Sequence, residues 1–134
     1  MLFFKRFMGI VKTIFLISTI ILAKQESLEN LLLSLEIKNG EEISKYFDSK
    51  SEIIIDNKSH KGTRYQQSKV LNKFYNNSNI NKFNIIHQGD SENNIIYILA
   101  EYSSNNDLYK ILLILKNINN KYTIEKFKID SVSW

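Results

Sequence analysis

Two histidines have the widest chemical reach of any side chains in this sequence at neutral pH, and they stand in different local settings. His87 lies in Lys82 to Gln88, where strand alternation puts Phe83, Ile85 and His87 on one face and Asn84, Ile86 and Gln88 on the other. On an inward face its imidazole could act as a base or as a donor to a ligand. The competing reading is structural: a histidine that fixes the strand end by hydrogen bonding at a His87-Gln88-Gly89 turn, since spacing reveals no second catalytic partner. His60 stands in Lys58-Ser59-His60-Lys61-Gly62, which reads as an exposed polar hairpin tip. The two histidines are 27 positions apart and form no HxxxH or HxH pair, so no metal site is expected from them.

Other chemistries lack their parts. With no cysteine there is no disulfide scaffold, thiolate metal site or thiol nucleophile. No GxSxG, GxGxxG or P-loop string occurs, and four glycines leave little backbone to cradle a phosphate. Lys69 and Lys73 share a helix face, and Lys126 and Lys128 lie beside Tyr122 and Phe127, a mixture that could stack on nucleic acid. Glu125 and Asp130 interrupt that stripe, so nucleic acid is not an expected partner. Two glycosylation patterns, at Asn57 and Asn76, matter only in a eukaryotic secretory pathway.

The 134 residues carry 18 Lys and Arg against 14 Asp and Glu, a formal charge of +4. Where those charges lie matters more than their sum. In residues 1–23, Lys5, Arg6 and Lys12 precede an uncharged run from Thr13 to Leu22, and Ala23 stands before Lys24-Gln25-Glu26. This is the layout of a signal peptide cleaved after Ala23, although Ile21 departs from the small-residue preference. The run is shorter than the roughly 20 residues that span hydrocarbon. The alternative is an uncleaved N-terminal anchor counted from Phe7, the only membrane contact then expected. Either way residues 24–134 are expected to be exported, periplasmic or extracellular. They hold 15 basic and 14 acidic residues, a net +1.

The elements that must position His87 follow from periodicity. Leu28, Leu31, Leu32 and Leu35 recur on one helix face, with Ser27 as its cap and Asn39-Gly40 as a left-handed stop. A short helix from Glu41 carries Ile43, Tyr46 and Phe47 on its apolar side. Ser51 to Asp56 reads as a strand entering a turn. Thr63 and Gln66 fit a capping box opening a helix with Val70, Leu71, Phe74 and Tyr75 on one side. Beyond Asn81 the period becomes 2: strands are expected at 82–88, 94–102, 108–116 and 121–129, joined as an antiparallel meander, with a bulge between Ile124 and Phe127. Helices first and a long curved antiparallel sheet afterwards make an α+β domain over 24–134.

The order of these elements resembles an uncharacterised family of small exported bacterial domains of unknown function (DUF4783-like), within the nuclear transport factor 2-like (cystatin-like) superfold. The resemblance rests on Asn39-Gly40, Lys45-Tyr46-Phe47-Asp48, Gln66 with Val70-Leu71, Phe74-Tyr75, the run Phe83 to Gly89, and the strands around Tyr97, Tyr109 and Ile124 to Ile129. It implies a strongly bent sheet wrapped round helices, a cone with an inner pocket, and no assigned activity. The chain departs from the pattern at Gln67, where a small residue is usual, at Ser78 to Asn81 and in its Asn-rich turns.

With that cone, His87 is expected near the pocket mouth. The resemblance implies Asp48, Tyr97, Glu101 and Tyr109 as its companions, because enzymes on this superfold use an inward carboxylate, His or Tyr. The leading functional expectation is a non-enzymatic binding or protein-interaction module for a small ligand or a protein. The alternative is a small-molecule enzyme, isomerase- or hydratase-like, working through that inward set. No cofactor is expected. A homodimer through a sheet face would use Tyr102, Tyr109, Leu113 and Trp134.

Overall fold

A computed structural model describes residues 28–133. The expected signal segment 1–23, the Ser27 cap and Trp134 lie outside the described residues. Helix α1 covers 28–36 and buries Leu31 and Leu35 with Leu28 and Leu32 beside them, the face set by the leucine spacing. Its end is a Schellman turn: Asn39 N–H donates to the Ser34 carbonyl at 3.0 Å and Lys38 N–H to that of Leu35 at 3.3 Å. The left-handed residue is therefore Lys38 (φ 59), not Gly40. Asn39 cannot serve there because it caps the next helix, its Oδ1 accepting from Glu42 N–H at 3.2 Å.

Gly40 instead opens α2 (Gly40–Ser44). A Cβ at Gly40 would lie 2.9 Å from the Ser68 carbonyl oxygen, so glycine there lets α2 pack directly against the next helix. Strand β1 (Phe47–Ile55) turns through Asp56 and Asn57, both with positive φ, into β2 (Lys58–His60). Helix α3 (Arg64–Asn76) follows, its start closed by the reciprocal Thr63 and Gln66 capping box. The rest is the meander β3 (Lys82–Ser91), β4 (Ile95–Ser103), β5 (Leu108–Ile118) and β6 (Lys121–Ser131). Left-handed Asn93-Asn94 and Asn119-Asn120 make two of its turns, and Gly89-Asp90 lies inside β3.

The six strands form one curved sheet in the order β2-β1-β6-β5-β4-β3. Every pairing is antiparallel except β1 with β6, so the expected antiparallel sheet is a mixed one. Helix α3 carries the chain back along the sheet before β3, and the three reversals after it point β6 the same way as β1. Ile124 and Phe127 both face the core because Glu125 is a bulge, skipped in the pairings with both neighbours.

The core fills the space between helices and sheet, with Phe47, Ile53, Leu71, Ile98, Leu113, Ile124 and Phe127 at or near zero exposure. At its centre Tyr75 and Tyr102 meet edge to face, ring centroids 5.6 Å apart. Tyr102 O–H donates to the Leu35 carbonyl at 2.6 Å, which leaves its oxygen to accept from Tyr75 O–H at 2.7 Å. Burial pushes both phenols well above the usual tyrosine range, so each is held neutral. The relay joins α3, β4 and the end of α1. Tyr102→Phe strands the Tyr75 hydroxyl and should cost about 2–3 kcal/mol in chemical denaturation, whereas Tyr75→Phe, which loses one bond, should cost about 1 kcal/mol. Equal losses would show that the donor order is wrong.

Candidate functional site

The residues expected around an inner pocket do not converge. Along β4, Ile96, Ile98, Ala100 and Tyr102 are buried against the helices, so Tyr97, Leu99 and Glu101 occupy the opposite, outer face. His87 joins them there. Phe83 pairs with Tyr102 and Ile85 with Ala100 on the inner side, but the register then shifts and His87 pairs with Leu99. Ile86 is the extra residue of a bulge, and one added residue moves everything after it to the other face. His87 is consequently exposed, its ring 5.8 Å from that of Tyr97 and tilted by 40°. Tyr97 in turn lies over Gly89, where a Cβ would come within 2.5 Å of its ring.

Asp48 is exposed in the irregular start of β1, where its Oδ1 accepts from Lys50 N–H at 2.9 Å and its own N–H donates to Ser51 Oγ at 2.8 Å. Ser51 is fully buried and also lies 2.5 Å from the Ile124 carbonyl, so Asp48 shapes the strand rather than meeting His87. Tyr102 and Leu113, expected on a contact surface, have no exposure at all. Their strand phase points them into the core. Of His87, Asp48, Tyr97, Glu101 and Tyr109, it is Tyr109 that lines the cavity between α3 and the sheet.

That cavity is an open groove of about 470 Å³ at the mouth of the cone, between α3, the β1–β2 hairpin and β5. Its apolar floor is Ile55, Val70, Phe74 and Tyr109, with the Phe74 and Tyr109 rings edge to face at 5.1 Å. Lys58, His60 and Lys73 stand round it with Asp56, Asn77 and Ser78. His60 is half-buried, not a free hairpin tip: the two-residue turn pairs it with Ile53, whose side chain faces the core. That pairing was within reach of the sequence, since Asp56-Asn57 with positive φ forces the register Ile55 to Lys58. The deeper interior of the cone is occupied by Tyr75, Tyr102 and Phe83. Among the described residues no group of three or more His, Asp or Glu could hold a metal ion.

Gln67 holds the hairpin wall of the groove. It is 1% exposed, and its Nε2 donates to the carbonyls of His60 (3.0 Å) and Ser51 (3.2 Å), while Arg64 Nε donates to that of Phe47 at 2.8 Å. Gln67 thus cross-links α3 to both β1 and β2.

A family model described as a domain of unknown function (DUF4783) matches residues 28–130. Similar solved structures include a DUF4783 family protein from Bacteroides uniformis, 24% identical with a TM-score of 0.70, covering 79% of this chain and 97% of its own. Another from Bacteroides ovatus is 19% identical with a TM-score of 0.70, covering 78% of this chain and 94% of its own. A ketosteroid isomerase-like protein from Erwinia carotovora shares the fold at 6% identity and a TM-score of 0.61, covering 82% of this chain and 94% of its own. No curated protein matches the sequence.

Gln67→Ala removes both cross-links and should destabilise by about 2–3 kcal/mol. Hydrogen exchange should accelerate first over residues 53–60, and uniform acceleration along the chain would contradict the assigned role.

Proposed function

The chain belongs to the DUF4783 family of domains of unknown function, with the nuclear transport factor 2-like fold, and on that basis we propose a non-enzymatic, exported binding module whose ligand site is the groove at the mouth of the cone. One observation carries this reading. The interior is closed by the tyrosine relay, while a cavity of ligand size with an apolar floor and a polar rim stays open beside it. Export is supported by the basic and apolar layout of residues 1–23. The enzyme alternative has less support, because His87, Tyr97 and Glu101 lie on the outer face and Asp48 is bound into its own turn.

The outer face favours a second reading, self-association. Cross-strand pairs put Leu99 beside Leu112 and Tyr97 beside Ile114, and the neighbouring row Glu101, Lys110, Asp130 alternates in charge. Leu99 is 41% exposed, and an apolar patch with both signs at its margin suits a second copy turned by two-fold symmetry.

The neutral fluorophore N-phenylnaphthylamine should bind saturably to the wild type and to His87→Ala, and fail to bind Val70→Trp that still melts cooperatively. Binding that depends on His87 and ignores Val70 would refute the groove. In sedimentation velocity the wild type should dimerise and Leu99→Lys with Leu112→Lys should not; a wild type monomeric at high micromolar concentration removes the dimer.

A further inference from the structure

The groove is not electrically neutral. Lys58, His60 and Lys73 face a single carboxylate, that of Asp56. The Asp56 Oδ1 is already engaged: it accepts from Ser131 N–H at 2.7 Å and lies 2.8 Å from Ser131 Oγ, which ties the hairpin turn to the end of β6. Among the described residues the ion pairs are Lys45 with Glu42 and Lys128 with Asp130, so neither groove lysine is in direct contact with a carboxylate, and Asp56 offsets one of their two charges. The cations also have a defined relation to the floor. Lys58 sits across the hairpin from Ile55, and Lys73 lies on α3 between Val70 and Phe74 in sequence, so positive charge borders the apolar surface from two elements.

A second groove on the same molecule supplies the contrast. Between α1 and β3, a cavity of about 330 Å³ has the apolar residues Leu32, Leu33, Phe83 and Ile85, but its charges are Glu29 and Glu36. Both grooves offer apolar surface; of these two, the one at the cone mouth combines it with positive charge.

Taking the binding-module reading as its basis, we infer that the cone-mouth groove takes a free monocarboxylate with an apolar body, the body lying on Ile55, Val70, Phe74 and Tyr109 and the carboxylate between Lys58 and Lys73. Apolar burial supplies most of the affinity, since it scales with the area removed from water. Charge supplies the choice of head group, because a cationic head would face two ammonium groups and a neutral one would lack the charge–charge attraction. The openness of the cavity suits a head group that keeps part of its hydration, which exposed lysines can meet without a large desolvation cost.

The test titrates the full chain with decanoate, decanol and decyltrimethylammonium, following the side-chain NMR signals of Val70, Phe74 and Tyr109. Decanoate should bind most tightly, and Lys58→Gln with Lys73→Gln, two exposed positions, should weaken it roughly tenfold while the melting temperature stays close to that of the wild type. The same double variant should leave decanol unchanged. If decanol matches decanoate in the wild type, or the lysine variant binds decanoate normally, the carboxylate preference is wrong while the groove remains a binding site. If none of the three amphiphiles shifts those signals, the groove reading itself falls. If the protein binds vesicles of anionic phospholipid but no free decanoate, a membrane surface replaces the small ligand and the inference is overturned.

Discussion

Two phenols buried at the centre of the core set the terms for the rest of the molecule. An unpaired hydroxyl in that environment costs several times what a hydrogen bond returns, so Tyr75 and Tyr102 must be satisfied internally. They are satisfied in series, with the Leu35 carbonyl as the final acceptor. That carbonyl belongs to the last turn of α1, where helical partners run out, and it also accepts from Lys38 N–H in the Schellman turn. One chain of hydrogen bonds therefore fixes the end of α1, the inward face of α3 and the C-terminal end of β4. It also fills the space that an open cone would offer a ligand, which moves the accessible cavity outward to the mouth, where Phe74 and Tyr109 form its floor.

Bulges decide which chemistry faces where. The one at Glu125 keeps Ile124 and Phe127 both in the core and is compatible with the pairing on either side of β6. The one at Ile86 moves His87 from the inner face to the outer and places it beside Tyr97. A single extra residue in an edge strand thus separates the imidazole from the interior. The outer face it joins is apolar and partly exposed, with charges of both signs in the adjoining row, a surface whose composition differs from that of the groove.

Charge shows the same dependence on position. The formal +4 of the whole chain resides mainly in residues 1–23, and the remainder is almost balanced. Balance over the domain does not mean balance at each site. Lys58 and Lys73 come from elements well separated along the chain, and the single carboxylate that lines the groove with them, Asp56, offsets one of their two charges. A local field arises where the overall count would predict none.

The sequence by itself determined the elements and their faces. The leucine spacing defined the buried side of α1, Thr63 and Gln66 the start of α3, the change of period the onset of the meander, and the phase slip near Ile124 the Glu125 bulge. All of these depend on residues within about four positions of one another, which is the range over which helix and strand geometry repeats. Three features were decided only by the tertiary structure. The parallel direction of β1 and β6 follows from how α3 returns the chain, and the Ile86 bulge had no trace beyond the Ile85-Ile86 doublet. The groove draws on residues from 55–60, 70–78 and 109, and its members had no common signal along the chain. Register, burial and the meeting of distant side chains are set by pairing and packing with partners far away in sequence, and local periodicity carries no information about which partner is chosen.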